Sequence, residues 1–222
     1  WAVPGGWGRG GHAACWRVRL PTRRPTMEID MAKPLRGLTV AIVATDNFEQ
    51  VELTSPKDAL ERAGATVHIL SAQAGEIRGM AHDQKAGRVR VEASWNDADP
   101  TRYAGVVVPG GVFNADVIRT DKGAQRFVQA LHDTGKPVAA ICHGPWLLIS
   151  AGMVDGRQLT SWPSLQDDIR NAGGQWVDEE VVLDGNLITS RRPDDLPAFN
   201  AKLVAALAQV ESADTPSGAQ PT

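Results

Sequence analysis

One cysteine has the surroundings expected of a nucleophile. In residues 138–145 an apolar run ends at Cys142, and His143, Gly144 and Pro145 follow where a helix can begin. A tight strand-to-helix turn lifts one side chain above the rim of a sheet. The nearby helix N-terminus lowers a thiol pKa, so the pattern predicts an ionised, solvent-open Cys142 beside the base His143. The alternative is a buried structural cysteine, the commoner fate of a free cysteine.

Two further loops carry groups that could assist this sulfur. Residues 45–52 hold three carboxyl groups, and Glu52 is interpreted as a first-turn acid favoured by the helix dipole. Glu49 lies where a strand gives way to a helix, and we predict that it is the proton-carrying partner of Cys142. A Pro-Gly-Gly turn ends at Gly111, whose backbone N–H is predicted to form an oxyanion hole with that of His143.

The elements that must position these loops alternate along the chain. Buried strands are predicted at 38–44, 66–70, 105–108 and 138–141, and helices at 51–63, 116–134, 145–151 and 196–210. Strands 181–183 and 186–189 flank an Asp-Gly hairpin turn. The alternation predicts an α/β fold with a mostly parallel sheet and helices on both faces. In such sheets ligands bind at the carboxyl ends of the strands, where the three loops meet.

Composition sets the domain limits and the surroundings. One domain is predicted at 37–210, with a disordered or non-native extension over 1–36 and a disordered tail over 211–222. The first 26 residues carry five Arg and no acid, which leaves 18 basic and 26 acidic residues elsewhere, a net charge of −8. That charge disfavours nucleic acid as a partner. No apolar stretch is long enough for a membrane span, and two cysteines in the chain fit a reducing, cytoplasmic location.

Other functional groups give weaker signals. No His/Cys cluster has metal-ligand spacing and no strand is followed by a phosphate-binding Gly loop, so neither a metal nor a cofactor is predicted. Trp146 is assigned to the pocket wall, and Trp162 and Trp176 to the core or an interface. His82 is assigned to a surface position.

The motifs together resemble the ThiJ/PfpI superfamily, and more narrowly its branch of PfpI-type intracellular proteases and general stress proteins. The resemblance covers residues 38 to about 208 and rests on Phe48-Glu49-x-Val51-Glu52, Val108-Pro109-Gly110-Gly111 and Ala140-Ile141-Cys142-His143-Gly144-Pro145. It implies a flavodoxin-like sandwich, related to the class I glutamine amidotransferase fold, that forms homodimers or hexamers.

The resemblance also implies residue roles. Cys142 is the nucleophile, Glu49 its protonated partner and His143 the adjacent base. An acid borrowed from a neighbouring subunit would orient that histidine, and Asp116 occupies the matching position in a loop one residue longer than usual. No histidine follows His143, which excludes the intrachain Cys…His-x-Glu arrangement of the amidotransferases.

Three functions are open at this point, in order of preference. The first is a cofactor-independent stress-protection enzyme that hydrolyses glyoxal or methylglyoxal, free or as adducts on proteins and peptides, as glyoxalase III and protein deglycases do. The second is an intracellular cysteine peptidase that is active as an oligomer. The third is a redox-sensing stress chaperone whose Cys142 oxidises.

Overall fold

The computed structural model describes residues 33–214, and the side chains of 33–210. Residues 1–32 and 215–222, most of the predicted extension and tail, lie outside the described residues. Leu35 falls within the predicted extension, yet it is fully buried and its N–H donates to the Ala63 carbonyl at 2.9 Å. The packed domain therefore includes residue 35 and does not begin at residue 37.

A seven-stranded sheet forms the centre of the molecule, in the order β11-β12-β8-β7-β1-β3-β6. Its pairings are parallel except that of β11 with β12. The predicted apolar runs form its middle strands because these are buried on both faces. The strands are β1 Thr39–Val43, β2 Phe48–Glu49, β3 Thr66–Ser71, β4 Gly75–Ala81, β5 Gln84–Val91, β6 Ala93–Ser94, β7 Gly105–Val108, β8 Val138–Ile141, β9 Gln158–Leu159, β10 Gln175–Trp176, β11 Val181–Asp184 and β12 Leu187–Ser190.

Helices cover both faces of this sheet, which confirms the flavodoxin-like sandwich. They are α1 Gln50–Arg62, α2 Val112–Ile118, α3 Lys122–Asp133, α4 Pro145–Ser150, α5 Gln166–Asn171 and α6 Leu196–Asp214. One core packs α1 and α6 against the sheet through side chains such as Leu53 and Phe199, and the other packs α3 and α4 through Phe127 and Leu147. None of the helices within 33–214 has the length and apolar character that a bilayer span requires.

The single helix predicted over 116–134 is wrong, because the chain forms two helices, α2 and α3, there. The Asp121 carboxylate is the reason: its Oδ1 accepts the N–H groups of Gly123 at 2.7 Å and Ala124 at 3.0 Å. This N-cap starts a new helix after the turn at residues 119–121.

A hairpin that the sequence analysis did not predict lies beside the first loop. Strands β4 and β5 pair antiparallel, and β4 also pairs with β2. Most of the hairpin residues are exposed and no apolar run marks them, so the pattern carried little signal. The hairpin turns at residues 82–83 and brings His82 to the carboxyl end of the main sheet.

Candidate active site

Cys142 lies on a strained turn directly after β8. Its φ is +61°, a left-handed conformation that is uncommon for any residue but glycine. The turn is fixed on both sides: the Cys142 N–H donates to the Ser190 carbonyl at 3.0 Å, and its own carbonyl accepts the Trp162 N–H at 2.9 Å. Backbone strain held in place by neighbouring strands is typical of functional sites.

The carboxyl group beside this sulfur belongs to Glu52, so the prediction that Glu49 contacts the thiol is wrong. Glu52 is fully buried, hydrogen-bonds Cys142, and accepts the Gly110 N–H at 2.8 Å through Oε2. Glu49 instead accepts the His82 N–H at 3.2 Å. The reason is local: Glu49 is an extended residue that precedes the helix, whereas Glu52 lies in the first turn of α1 on the buried face with Leu53.

Glu52 is a neutral acid at pH 7. Burial raises its pKa to about 8, the charge of Glu49 adds to the rise, and the hydrogen bonds to Gly110 and Cys142 offset part of it. Its Oε2 already accepts the Gly110 N–H, and Oε1 is buried with no hydrogen-bond partner among the described residues. We therefore assign the proton to Oε1.

The thiol is protonated at rest, so the prediction of an ionised, solvent-open Cys142 is also wrong. Only 7% of the residue is exposed. Burial raises the pKa of the Cys142 thiol and Glu52 raises it further, while hydrogen bonds from the N–H groups of His143 and Gly111 lower it. The loss of solvation raises the thiol pKa more than the positive N-terminal end of α4 lowers it, because α4 is only six residues long. The N–H groups of His143 and Gly111, the predicted oxyanion-hole donors, hydrogen-bond the sulfur in this structure; their role toward a substrate oxygen stays a prediction.

His143 is placed to take the proton of that thiol. Its Nδ1 lies 3.2 Å from the sulfur of Cys142. Burial lowers the pKa of His143, so the imidazole is neutral at pH 7 and can accept a proton. The ring stacks on Trp162, with centroids 5.7 Å apart, and meets Trp146 edge-on at 5.4 Å. A hydrogen bond of 2.7 Å from Trp146 Nε1 to Asp168 holds the Trp146 indole in place.

A pocket of about 200 Å³ opens beside these groups. Trp162 and His82, which the sequence analysis assigned to the core or an interface and to the surface, both line it. Pro193 closes one side of the pocket. The segment that contains it is held by a bidentate ion pair between Arg191 and Asp195. The lining residues are Glu49, Glu52, His82, Gly111, Val112, Cys142, His143, Trp162 and Pro193.

Asp116 does not reach this pocket. It is exposed on α2 and is not among the lining residues. Large apolar side chains are exposed on the same helix: Val112 to 51%, Phe113 to 71% and Val117 to 55%. Asp116 can therefore orient His143 only across an interface between two copies of the chain.

We expect that Gly110→Ala disables the site. A Cβ at this position would lie 2.6 Å from Glu52 Oε2, 2.8 Å from the Cys142 Cβ and 2.9 Å from the His143 nitrogen. Displacing a reacting group by about 1 Å can slow a reaction about a hundredfold, so the rate of turnover at Cys142 should fall by about that factor. Gly87→Ala is the matched control, since its Cβ would meet nothing closer than 3.6 Å. Steady-state kinetics and circular dichroism of both variants test this; equal rates would contradict it.

Comparisons with known proteins identify the family of the chain. The model of the DJ-1/PfpI family matches residues 38–206. The Escherichia coli protein named "Protein/nucleic acid deglycase 2" is 41% identical over 163 residues, which is 72% of this chain and 92% of that protein. The Bacillus subtilis protein named "Putative cysteine protease YraA" is 40% identical over 162 residues, 72% of this chain and 93% of that protein.

A solved structure supports the same fold. A two-domain protein from Anabaena variabilis, with DJ-1/ThiJ/PfpI-like and ferritin-like domains, superposes with a TM-score of 0.72 at 34% identity. The match covers 77% of this chain and 48% of that longer chain.

Proposed function

The chain belongs to the DJ-1/PfpI family, and on that premise we propose that it is a cysteine-dependent hydrolase of reactive carbonyls. Its substrates are glyoxal or methylglyoxal, free or as adducts on the amino groups of proteins and peptides. The observation that supports this most is the placement of Cys142 between a neutral acid, Glu52, and a neutral base, His143. The deglycase name of a relative at 41% identity points the same way.

The first step forms a bond between sulfur and carbon. His143 Nδ1 takes the thiol proton while the Cys142 sulfur attacks the aldehyde carbon. The proton then passes from His143 to the carbonyl oxygen, which becomes the hydroxyl of a hemithioacetal. The neutral Glu52 places no negative charge beside the sulfur as the thiol loses its proton, and the N–H groups of Gly111 and His143 hydrogen-bond the sulfur and stabilise the charge that develops on it.

The second step releases a hydroxy acid. His143 moves a proton from the former aldehyde carbon to the neighbouring ketone carbon through an enediol, which turns the hemithioacetal into a thioester. Water then cleaves the carbon–sulfur bond, so methylglyoxal plus water gives lactate and the free thiol. With a hemiaminal adduct, the sulfur displaces the amine from the same carbon, the amine leaves with the proton that His143 took from the thiol, and the later steps are unchanged. The oxidation of one carbon balances the reduction of its neighbour, so no external oxidant takes part.

Product analysis tests the proposal. The full chain, incubated with methylglyoxal or with its adduct on an Nα-acetylated arginine, should yield lactate in an amount equal to the substrate consumed, as measured by proton NMR. The proposal would be contradicted if no lactate formed and the substrate disappeared no faster than with a heat-inactivated sample.

A cysteine peptidase is the second candidate, favoured by the 3.2 Å contact of Cys142 with His143. A peptidase also needs an acid to orient the histidine. Among the described residues no carboxylate hydrogen-bonds to His143, so the acid would have to be Asp116 of another copy. Peptide cleavage that is lost with Asp116→Asn would favour this function over carbonyl hydrolysis. Redox sensing fits less well, because a buried thiol with a raised pKa reacts slowly with oxidants.

We further propose that α2 packs against a second copy of the chain in a homodimer or hexamer. Its apolar side chains are exposed, and one of them, Val112, also lines the pocket. Exposed clusters of this kind mark interaction surfaces. Copies that meet here would enclose the pocket further.

We expect Phe113→Asp to dissociate this oligomer, because a charge would replace the most exposed of the large apolar side chains. Size-exclusion chromatography with light scattering should give a multiple of the 23.8 kDa chain mass before the change and the single-chain mass after it. Leu183→Asp, on the edge strand β11, is the matched control and should leave the mass unaltered. A monomeric parent chain would contradict the assignment.

A further inference from the structure

His143 has to keep its Nδ1 toward the Cys142 sulfur, 3.2 Å away, in order to take the thiol proton. In a catalytic triad a carboxylate bonded to the other ring nitrogen provides this orientation. Within residues 33–210 no carboxylate forms a hydrogen bond or an ion pair with His143. Its imidazole instead contacts two indoles, those of Trp146 and Trp162.

The Trp146 indole is held from two directions. At its edge, Nε1 donates to Asp168 Oδ2 at 2.7 Å, a hydrogen bond strengthened by the charge of the acceptor. Over its face, the guanidinium carbon of Arg119 lies 5.1 Å from the ring centroid, an attractive contact between a cation and an aromatic ring. The guanidinium is fixed in turn, because its Nε donates to Ser150 Oγ at 3.2 Å. These contacts leave the indole little freedom to turn.

The fixed indole restricts the imidazole. The rings of His143 and Trp146 are inclined by 65° with centroids 5.4 Å apart, within the range of favourable aromatic pairs. The Trp162 ring is nearly parallel to the imidazole, at 25°, and its backbone N–H is bonded to the Cys142 carbonyl. One steeply inclined ring and one nearly parallel ring together resist both the sliding and the rotation of His143.

We infer that Asp168 and Arg119 are positioning residues for His143, which act through the Trp146 indole and take the place of the acid of a triad. The inference rests on the proposed role of His143 as the base at Cys142. Asp168 follows from α5 and Arg119 from the end of α2, and neither lines the pocket. A chain that orients its histidine in this way needs no acid from a second copy for carbonyl hydrolysis.

NMR without substrate tests the orientation itself. Proton–nitrogen correlation spectra of the full chain, with His143 identified by its absence in His143→Gln, should show one tautomer, the proton on Nε2, because Nδ1 faces the thiol. Asp168→Ala should give a mixture of both tautomers. Asp168 is exposed, so the fold should persist. Asp168→Asn should restore the single tautomer, because its amide oxygen still accepts the indole N–H.

Lactate assays test the consequence for the reaction. Asp168→Ala should lower kcat about tenfold with KM unchanged, because the base is misplaced while the pocket is intact. Arg119→Met should lower kcat about threefold, since it removes the cation over the indole. Asp167→Ala is the matched control: Asp167 lies in the same turn of α5, is 82% exposed, and pairs with Arg170. Its kcat should equal that of the parent.

The inference is overturned if Asp168→Ala keeps the single Nε2 tautomer, if Asp168→Asn behaves like Asp168→Ala, or if Asp167→Ala lowers kcat to the same extent. It is also overturned if Asp116→Asn produces the mixture of tautomers, which would assign the orientation to an acid of a second copy. The NMR measurement needs no turnover. The predicted tautomers without any lactate would therefore contradict the proposed hydrolysis and support the inference.

Discussion

Replacing Cys142 by Ser should abolish lactate production from methylglyoxal, with a loss of about a thousandfold or more. A hydroxyl at this position is far less acidic than a thiol, and His143 at 3.2 Å is a weak base for it because burial lowers its pKa. The substitution changes a single atom within a buried turn, so the fold should persist. Initial rates of lactate formation, with circular dichroism as the check on folding, measure the effect.

The other cysteine of the chain supplies the control for this loss. Cys15→Ser removes a thiol outside the described residues and should leave the lactate rate close to that of the parent. If Cys142→Ser formed lactate at a comparable rate, or if both variants lost activity equally, the sulfur of Cys142 could not be the nucleophile.

Replacing Glu52 by Gln should change how stability depends on pH. The folded chain holds the Glu52 proton up to about pH 8, whereas the unfolded chain releases it near 4.5. The free energy of unfolding contributed by this group therefore falls as the pH rises through that window, by about 1.4 kcal/mol per pH unit, and levels off above it. Glutamine carries no proton to release, and its amide oxygen can still accept the Gly110 N–H.

Urea denaturation at pH 5, 6, 7 and 8 measures this effect. The difference in unfolding free energy between Glu52→Gln and the parent should shift in favour of the variant by about 1.4 kcal/mol from pH 6 to 7 and by less in the steps from pH 5 to 6 and from pH 7 to 8. Glu61→Gln is the matched control on the same helix, because Glu61 is 44% exposed and pairs with Lys57. The difference in unfolding free energy between Glu61→Gln and the parent should stay nearly constant over this pH range. A constant difference for Glu52→Gln as well would mean that Glu52 is ionised in the folded protein.

The same proton should shape the pH dependence of activity. Ionised Glu52 would place a negative charge against the developing thiolate, so kcat/KM of the parent should decline as the pH rises through about 8. In Glu52→Gln that decline should disappear, because the amide stays neutral at every pH.

The sequence was informative where burial is uniform. Four continuous apolar runs predicted the centre of the sheet, since a strand covered on both faces has no polar side. The same runs put the loops after β1, β7 and β8 at one rim, where Cys142, His143 and Gly111 do meet.

The sequence was less informative where the orientation of a helix decides the chemistry. Both Glu49 and Glu52 follow β1, and the choice between them depends on where α1 begins. A signal was present: Leu53, Pro56 and Leu60 form the buried stripe of α1, and Glu52, four residues before Pro56, falls on the same side. A carboxyl group on an apolar stripe is the one that burial will neutralise.

The walls of the pocket could not be predicted from local pattern. His82 arrives on a mostly exposed hairpin, and Trp162 arrives on a loop anchored by its N–H to the Cys142 carbonyl. Neither segment has the periodicity from which a sequence argument could place it. Cys142 is likewise packed into a core with residues from distant segments, such as Ile188 and Phe199, which is why the expectation of an open thiolate was wrong.

Peptide mapping of the full chain, quenched in acid while it consumes methylglyoxal, shows whether the sulfur of Cys142 bonds to the substrate. We expect the peptide containing Cys142 to carry one methylglyoxal unit on sulfur during turnover and to lose it once the substrate is exhausted. Steady lactate formation with Cys142 unmodified throughout, or with adducts confined to lysine and arginine side chains, would mean that Cys142 is not the nucleophile.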